Sequence, residues 1–151
     1  MSQRAAPNDD LADILRVADR EDALIATSYR MIFPHDQPVD AHWTAAVVTN
    51  PERGAIIEAF AARFARFQDR LGQKVLPGVL NALGESVGPV IDNLTQAERL
   101  GWVEDAEDWI TTRGLRNRLV HEYVEDPEAL AADLNMAGRY VVIMRESYAR
   151  M

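Results

Sequence analysis

Apolar residues in this chain recur at three- and four-residue steps through most of its length, and proline marks where the runs begin or end. That spacing gathers them on one side of an α-helix. The first run is Leu11, Ile14, Leu15, Ala18, Ile25, Tyr29 and Ile32. Asn8, Asp9 and Asp10 stand before it with N-cap oxygens and negative charge for the positive end of the helix dipole, and Pro34 stops it. A second run, Ile56 or Ile57, Phe60, Phe64, Phe67, Leu71 and Val75, follows Asn50 as N-cap and Pro51 at the first helical position. Pro77-Gly78 is expected to kink or break that helix, with Val79, Leu80 and Leu83 continuing it as far as the 84–89 stretch.

Pro89 opens the next segment, whose apolar side is Val90, Ile91, Leu94, Ala97 and Leu100, and Gly101 is its expected left-handed terminator. The acids Glu104, Asp105, Glu107 and Asp108 suit the start of another helix, and are read as a solvated start rather than a metal cluster. That helix runs through Trp109, Ile110, Leu115 and Leu119. Asp126 and Pro127 open the last one, with Leu130, Leu134, Ala137, Val141 and Met144 or Tyr148 as its stripe. No strand pattern, repeat or low-complexity segment interrupts the series. The expectation is an all-α chain forming a single domain over residues 1–151: an up-and-down antiparallel bundle of four long helices with short extra helices.

Residues 33–50 break the periodicity. His35, Asp36, Pro38 and Asp40 mark a loop, and a short helical turn is expected from Ala41 to Val48. His35 and His42 with Asp36 and Asp40 are of metal-ligand type, but their spacing matches no metal motif. They are read as surface residues, with Trp43 pinning the loop to the bundle.

Composition limits the chemistry. The chain has 151 residues and no cysteine, so disulfides, thiolate metal sites and a thiol nucleophile are excluded. The first ten residues are polar and acidic and do not read as a secretory signal. No apolar run reaches the roughly 20 residues of a membrane span, so a cytoplasmic protein without membrane contact is expected. The net charge of −8 opposes nucleic acid in bulk, so binding it would take a local basic patch or a surface formed by assembly.

One stretch differs from the scaffold around it: Arg116-Asn117-Arg118-Leu119-Val120-His121-Glu122-Tyr123. Arg113, Arg116 and Arg118 carry no interleaved acid from Thr111 to His121, which makes this the local cationic segment of an acidic chain. At about 100° per residue, Val103, Ala106, Ile110, Gly114, Asn117 and His121 fall within roughly 80° of one another. Asn117 and His121 are thus expected to share a half-buried face, where burial disfavours a charged imidazole and a neighbouring phosphate favours it. Arg116 lies about 140° from His121 on an ideal helix, so the two meet only through a bend, a reaching side chain or a second subunit. Two explanations fit these residues. Arginines near a helix C-terminus complement the dipole, and a lone histidine beside an apolar stripe is commonly a hydrogen-bonded structural group. Alternatively, they form a phosphate-handling site.

The order Arg116-Asn117-x-x-x-His121-x-Tyr123, late in the helix before the last one of a small all-α bundle, resembles the HEPN superfamily. Four residues separate Arg116 from His121, as in that family's Arg-polar-…-His signature. Tyr123 makes the match resemble the ribonuclease toxins of that superfamily that pair with a minimal nucleotidyltransferase antitoxin. The resemblance implies a metal-independent endoribonuclease with no cofactor, acting on RNA as a homodimer whose two motifs face one cleft. It implies Arg116 and His121 as the catalytic pair, with Asn117, Arg113 and Arg118 binding or orienting substrate. It also implies Tyr123 as the residue to which the partner nucleotidyltransferase attaches AMP, adding charge and bulk at the cleft. The acidic balance fits a second expectation within the same family, a non-catalytic subunit that binds a nucleotide or substrate for a separate nucleotidyltransferase.

Overall fold

The computed structural model describes residues 7–121 and 126–151, and side chains only within 10–119 and 126–151. Among the described residues every regular element is helical. Helix α1 spans Pro7–Ile32, α2 Ala41–Ala45, α3 Pro51–Arg70, α4 Leu76–Ala82, α5 Val90–Arg99, α6 Ala106–His121 and α7 Pro127–Arg150. A 3₁₀ turn, Ala46–Val48, follows α2, and a π turn, Leu71–Val75, joins α3 to α4.

Polar contacts fix how the four long helices run. Arg63 on α3 donates to the Leu24 carbonyl and the Ser28 hydroxyl, and Arg70 pairs with Glu21. The partners descend α1 as they climb α3, so the two are antiparallel. On α7, Arg145 pairs with Asp22, and the Tyr148 hydroxyl reaches the Leu15 carbonyl and Asp19. Phe33, just beyond α1, meets Gly138, so α7 also runs against α1. Helix α6 joins α3 through Gln68–Thr112 and Asp69–Arg116, and joins α7 through Arg118–Asp133. The result is the expected all-α up-and-down bundle, in which α1, α3, α6 and α7 follow one another around a shared core.

That core is built on α3 and the turn after it. Ile57, Phe60, Phe64, Phe67, Leu71 and Val75 are fully buried. Phe60 stacks on Phe64 at 6.2 Å between ring centroids, and Phe67 meets Tyr148 edge-on at 5.9 Å. Burying each phenylalanine contributes about 1.5–3 kcal/mol.

The helix starts follow the sequence signals, with one shift. Asn50 accepts a hydrogen bond from the Arg53 amide, and Asp126 from the amides of Glu128 and Ala129. Gly101 takes φ 79°, as a left-handed terminator requires. Helix α1 already includes Pro7, so Asn8–Asp10 lie within the helix and not before it.

Three expectations need correction. Pro77-Gly78 does not break the second long helix. Pro77 lacks an N–H and its ring crowds the carbonyl four residues back, and the wider π turn at Leu71–Val75 absorbs that defect before the chain continues as α4. Gly78 lets α4 lie close on α1, since a Cβ there would stand 3.0 Å from the Leu11 methyl. Second, Leu83, Ile91 and Leu100, placed on apolar faces, are exposed. The third concerns α6 and is taken up below.

The 33–50 stretch is ordered by polar ties. The Asn135 side chain accepts from the Val39 amide and donates to its carbonyl, and Thr44 donates to the Pro127 carbonyl. Trp43 does pin the segment: it is half-buried, and the Arg53 guanidinium lies 4.7 Å over its ring. Among the described residues, no helix is long and apolar enough to cross a membrane.

Candidate active site

Helix α6 begins as its acids require. The Glu98 carboxylate accepts from the Ala106 amide and Asp105 accepts from the Glu107 amide, which satisfies N–H groups the helix cannot pair itself. Its buried side is Trp109, Thr112, Leu115 and Leu119. This corrects the expected orientation. Ile110 is 40% exposed, and Gly114 and Asn117 are exposed. Of the expected stripe, Val103 and Ala106 are buried at the start of the helix, while Ile110, Gly114 and Asn117 face outward, about half a turn from the buried side. Asn117 is not half-buried, because Thr112 occupies the inner face with its hydroxyl bonded to the Trp109 carbonyl and to Gln68.

The three arginines divide around the helix. Arg116 sits on the flank toward α3, where its Nη2 donates to Asp69 at 2.8 Å. Arg118 sits on the flank toward α7 and pairs with Asp133 at 3.2 Å. The segment lacks acids in sequence, but two other helices supply them in space. Among the described residues Arg113 is the member of the trio without an ion-pair partner, and it is exposed. The described part of α6 extends to His121. The His121 side chain and Tyr123 lie outside the described residues. The fold thus leaves Arg113 and Asn117 exposed on α6, holds Arg116 half-buried on the α3 flank, and sends Arg118 to the opposite flank.

Beneath Arg113 lies a small pocket of about 50 Å³ between α3, the π turn, α5 and α6, lined in part by Gln68, Asp69, Gly72, Trp109 and Ile110. Of the residues lining it, Gln68 Oε1 and Trp109 Nε1 are buried with no hydrogen-bond partner among the described residues. One water needs roughly 10–15 Å³ of such space, so the pocket has room for the waters these atoms call for. Gln68, Asp69 and Thr112 hold α6 in register, and none was singled out from sequence. Their signal was present: Gln68 and Asp69 interrupt the aromatic stripe of α3 with polar groups just after Phe67.

His35 and His42 are exposed, and their acidic neighbours are engaged otherwise. Asp36 accepts from the Tyr29 hydroxyl, and Asp40 caps α2.

Comparison with protein-family models, with curated proteins and with solved structures returns no match.

Proposed function

We propose that this chain is a HEPN-type endoribonuclease, cutting RNA without a metal at a cleft formed when the α6 faces of two copies meet. The observation that supports it best is the exposure of Arg113 and Asn117, with Arg116 half-exposed on the neighbouring flank, in the turns leading to His121. A polynucleotide can reach that side of α6 without unfolding anything. Arg116 is held by one acid at one nitrogen, so its guanidinium keeps N–H groups for a phosphate.

The chemistry follows from the residue types. A ribose 2′-hydroxyl attacks the adjacent phosphorus while His121 takes its proton; the bond from phosphorus to the 5′-oxygen then breaks, leaving a 2′,3′-cyclic phosphate and a 5′-hydroxyl that receives its proton from the imidazolium. Arg116 balances the charge that builds on the phosphorane oxygens. Asn117 orients the substrate, and Arg113 holds a neighbouring phosphate. Arg118, already paired with Asp133 on the far flank, acts on the packing of α6 against α7 more than on substrate. An enzyme of this kind works in the cytoplasm beside a nucleotidyltransferase antitoxin, with Tyr123 as the position for AMP.

The test is cleavage of a defined RNA by the purified chain in the presence of a chelator. Wild type cuts, and Arg116→Ala and His121→Ala do not, while all three keep the same far-UV spectrum. Equal cleavage by wild type and His121→Ala rules the proposal out. The net charge of −8 favours a second reading, a nucleotide-binding subunit for a separate transferase. Nucleotide binding by calorimetry, with no RNA cleavage, would select it.

A further inference from the structure

The stretch from Phe33 to Asn50 is longer than a minimal bundle connection needs, and the proposed ribonuclease chemistry makes no use of its first part, residues 33–40. It builds something of its own. Between this loop, the end of α1 and the outer side of α7 lies an open pocket of about 470 Å³. That is within the roughly 300–1,000 Å³ span of small-molecule sites. Tyr29, Phe33, Pro38, Val142 and Ile143 form its apolar walls.

The walls are fixed in advance. The two hydrogen bonds between Asn135 and Val39 strap the loop to α7. The Phe33 ring lies against the bare backbone of Gly138. Tyr29 and Phe33 stand 5.0 Å apart at their ring centroids, tilted by 37°. Asp36 adopts φ 55°, a costly conformation for a residue with a side chain, and its carboxylate accepts from the Tyr29 hydroxyl. Strain of this kind persists where the surroundings hold it, and here it shapes the mouth of a pocket.

Two charged residues line the space, Asp36 and Arg139. Arg139 is exposed and has no hydrogen-bond or ion-pair partner among the described residues. We infer that this pocket binds a small organic anion with an aromatic body, its acidic group on Arg139 and its rings between Tyr29, Phe33 and Val142. The Asp36 end accepts a hydrogen-bond donor and repels a second anion. The site lies on the α1–α7 side of the bundle, and its occupancy does not depend on the ribonuclease reading.

The probe is 8-anilinonaphthalene-1-sulfonate, which carries an aromatic body, one anion and one N–H donor. Fluorescence titration of the folded full-length chain should show one saturable site. Arg139→Ala should weaken binding about tenfold or more, as loss of a charge-assisted hydrogen bond does. Val142→Trp, at an exposed position on the rim, should fill the pocket and abolish it without unfolding the chain. The neutral analogue N-phenyl-1-naphthylamine should bind at least about tenfold more weakly. Absence of a saturable site overturns the inference. So does binding that survives either substitution, or a neutral analogue that binds as tightly.

Discussion

Two glycines inside helices should respond to alanine with opposite signs. A Cβ at position 138 on α7 would stand 2.8 Å from Cε2 and 2.9 Å from Cζ of Phe33. Carbon atoms rest at about 3.5–4.0 Å, so the ring must retreat by roughly 0.6–1 Å. Tyr29 and Phe60 hold the ring on two sides, so it gives way only toward the open pocket it lines, at the expense of those ring contacts. Overpacking of this kind costs about 1–3 kcal/mol, against a gain of about 1 kcal/mol from replacing glycine in a helix. Gly138→Ala should therefore lose up to about 2 kcal/mol. Gly114 on α6 is exposed, and the nearest atom to its Cβ is a guanidinium nitrogen of Arg118 at 3.7 Å. There the propensity gain stands alone, and Gly114→Ala should gain about 1 kcal/mol. Urea unfolding followed by far-UV circular dichroism measures both, at two protein concentrations to separate folding from association. In a Phe33→Leu background Gly138→Ala should turn stabilising. If Gly138→Ala stabilises the wild-type chain as much as Gly114→Ala does, the packing of Phe33 on α7 is wrong.

Three further outcomes follow from the polar contacts. Asp69→Asn removes a half-exposed ion pair and should cost about 1 kcal/mol or less; a loss beyond about 2 kcal/mol in urea unfolding would mean the pair is more deeply buried than described. Thr112→Val leaves the Gln68 amide without its acceptor and should cost about 1–3 kcal/mol, most of it recovered in the Gln68→Leu/Thr112→Val double variant; a double variant no more stable than the single one contradicts this. Burial, then the hydrogen bond to Asp19, raises the pKa of Tyr148 above its ordinary 10.0. The stability this confers is complete below about pH 10 and is lost as pH rises toward the folded-state value. Tyr148→Phe should cost about 1 kcal/mol at neutral pH and flatten the alkaline decline in a pH series of unfolding curves; an unchanged decline removes Tyr148 as its source.

The bundle was legible because α1, α3 and α7 carry apolar stripes long enough to name their buried faces, and because Asn50-Pro51 and Asp126-Pro127 mark starts by local chemistry alone. Helix α6 was not legible in the same way. Trp109 and Ile110 are adjacent, and Leu115 and Leu119 give few points from which to draw a stripe. The choice of inner face fell to Thr112, whose burial depends on a partner 44 residues away on α3. The arginines misled for the same reason. Their segment is free of acid in sequence, yet Asp69 and Asp133 reach it from α3 and α7, and no local pattern announces a contact of that span. The π turn was hidden too, because proline specifies a defect in the helix but packing decides how the defect is absorbed.

The orientation of α6 alters what the octad can do. With Thr112 and Leu119 inward, Asn117 faces solvent and Arg116 lies on the α3 flank, about 100° around the helix from it. A phosphate held by Arg116 in one chain therefore approaches from the side of α6, and the outward stripe of Ile110, Gly114 and Asn117 stays open beside it. A second copy set on that stripe about a two-fold axis would meet the same residues in itself, as a self-complementary contact requires. Gly114 has no side chain, and among the described residues a Cβ built there would meet the Arg118 guanidinium at 3.7 Å, so the stripe is open to a second backbone at that point. On an ideal helix Arg116 and His121 stand about 140° apart, which is why the proposed active site is placed across two chains, the arginine of one copy and the histidine of the other sharing one phosphate.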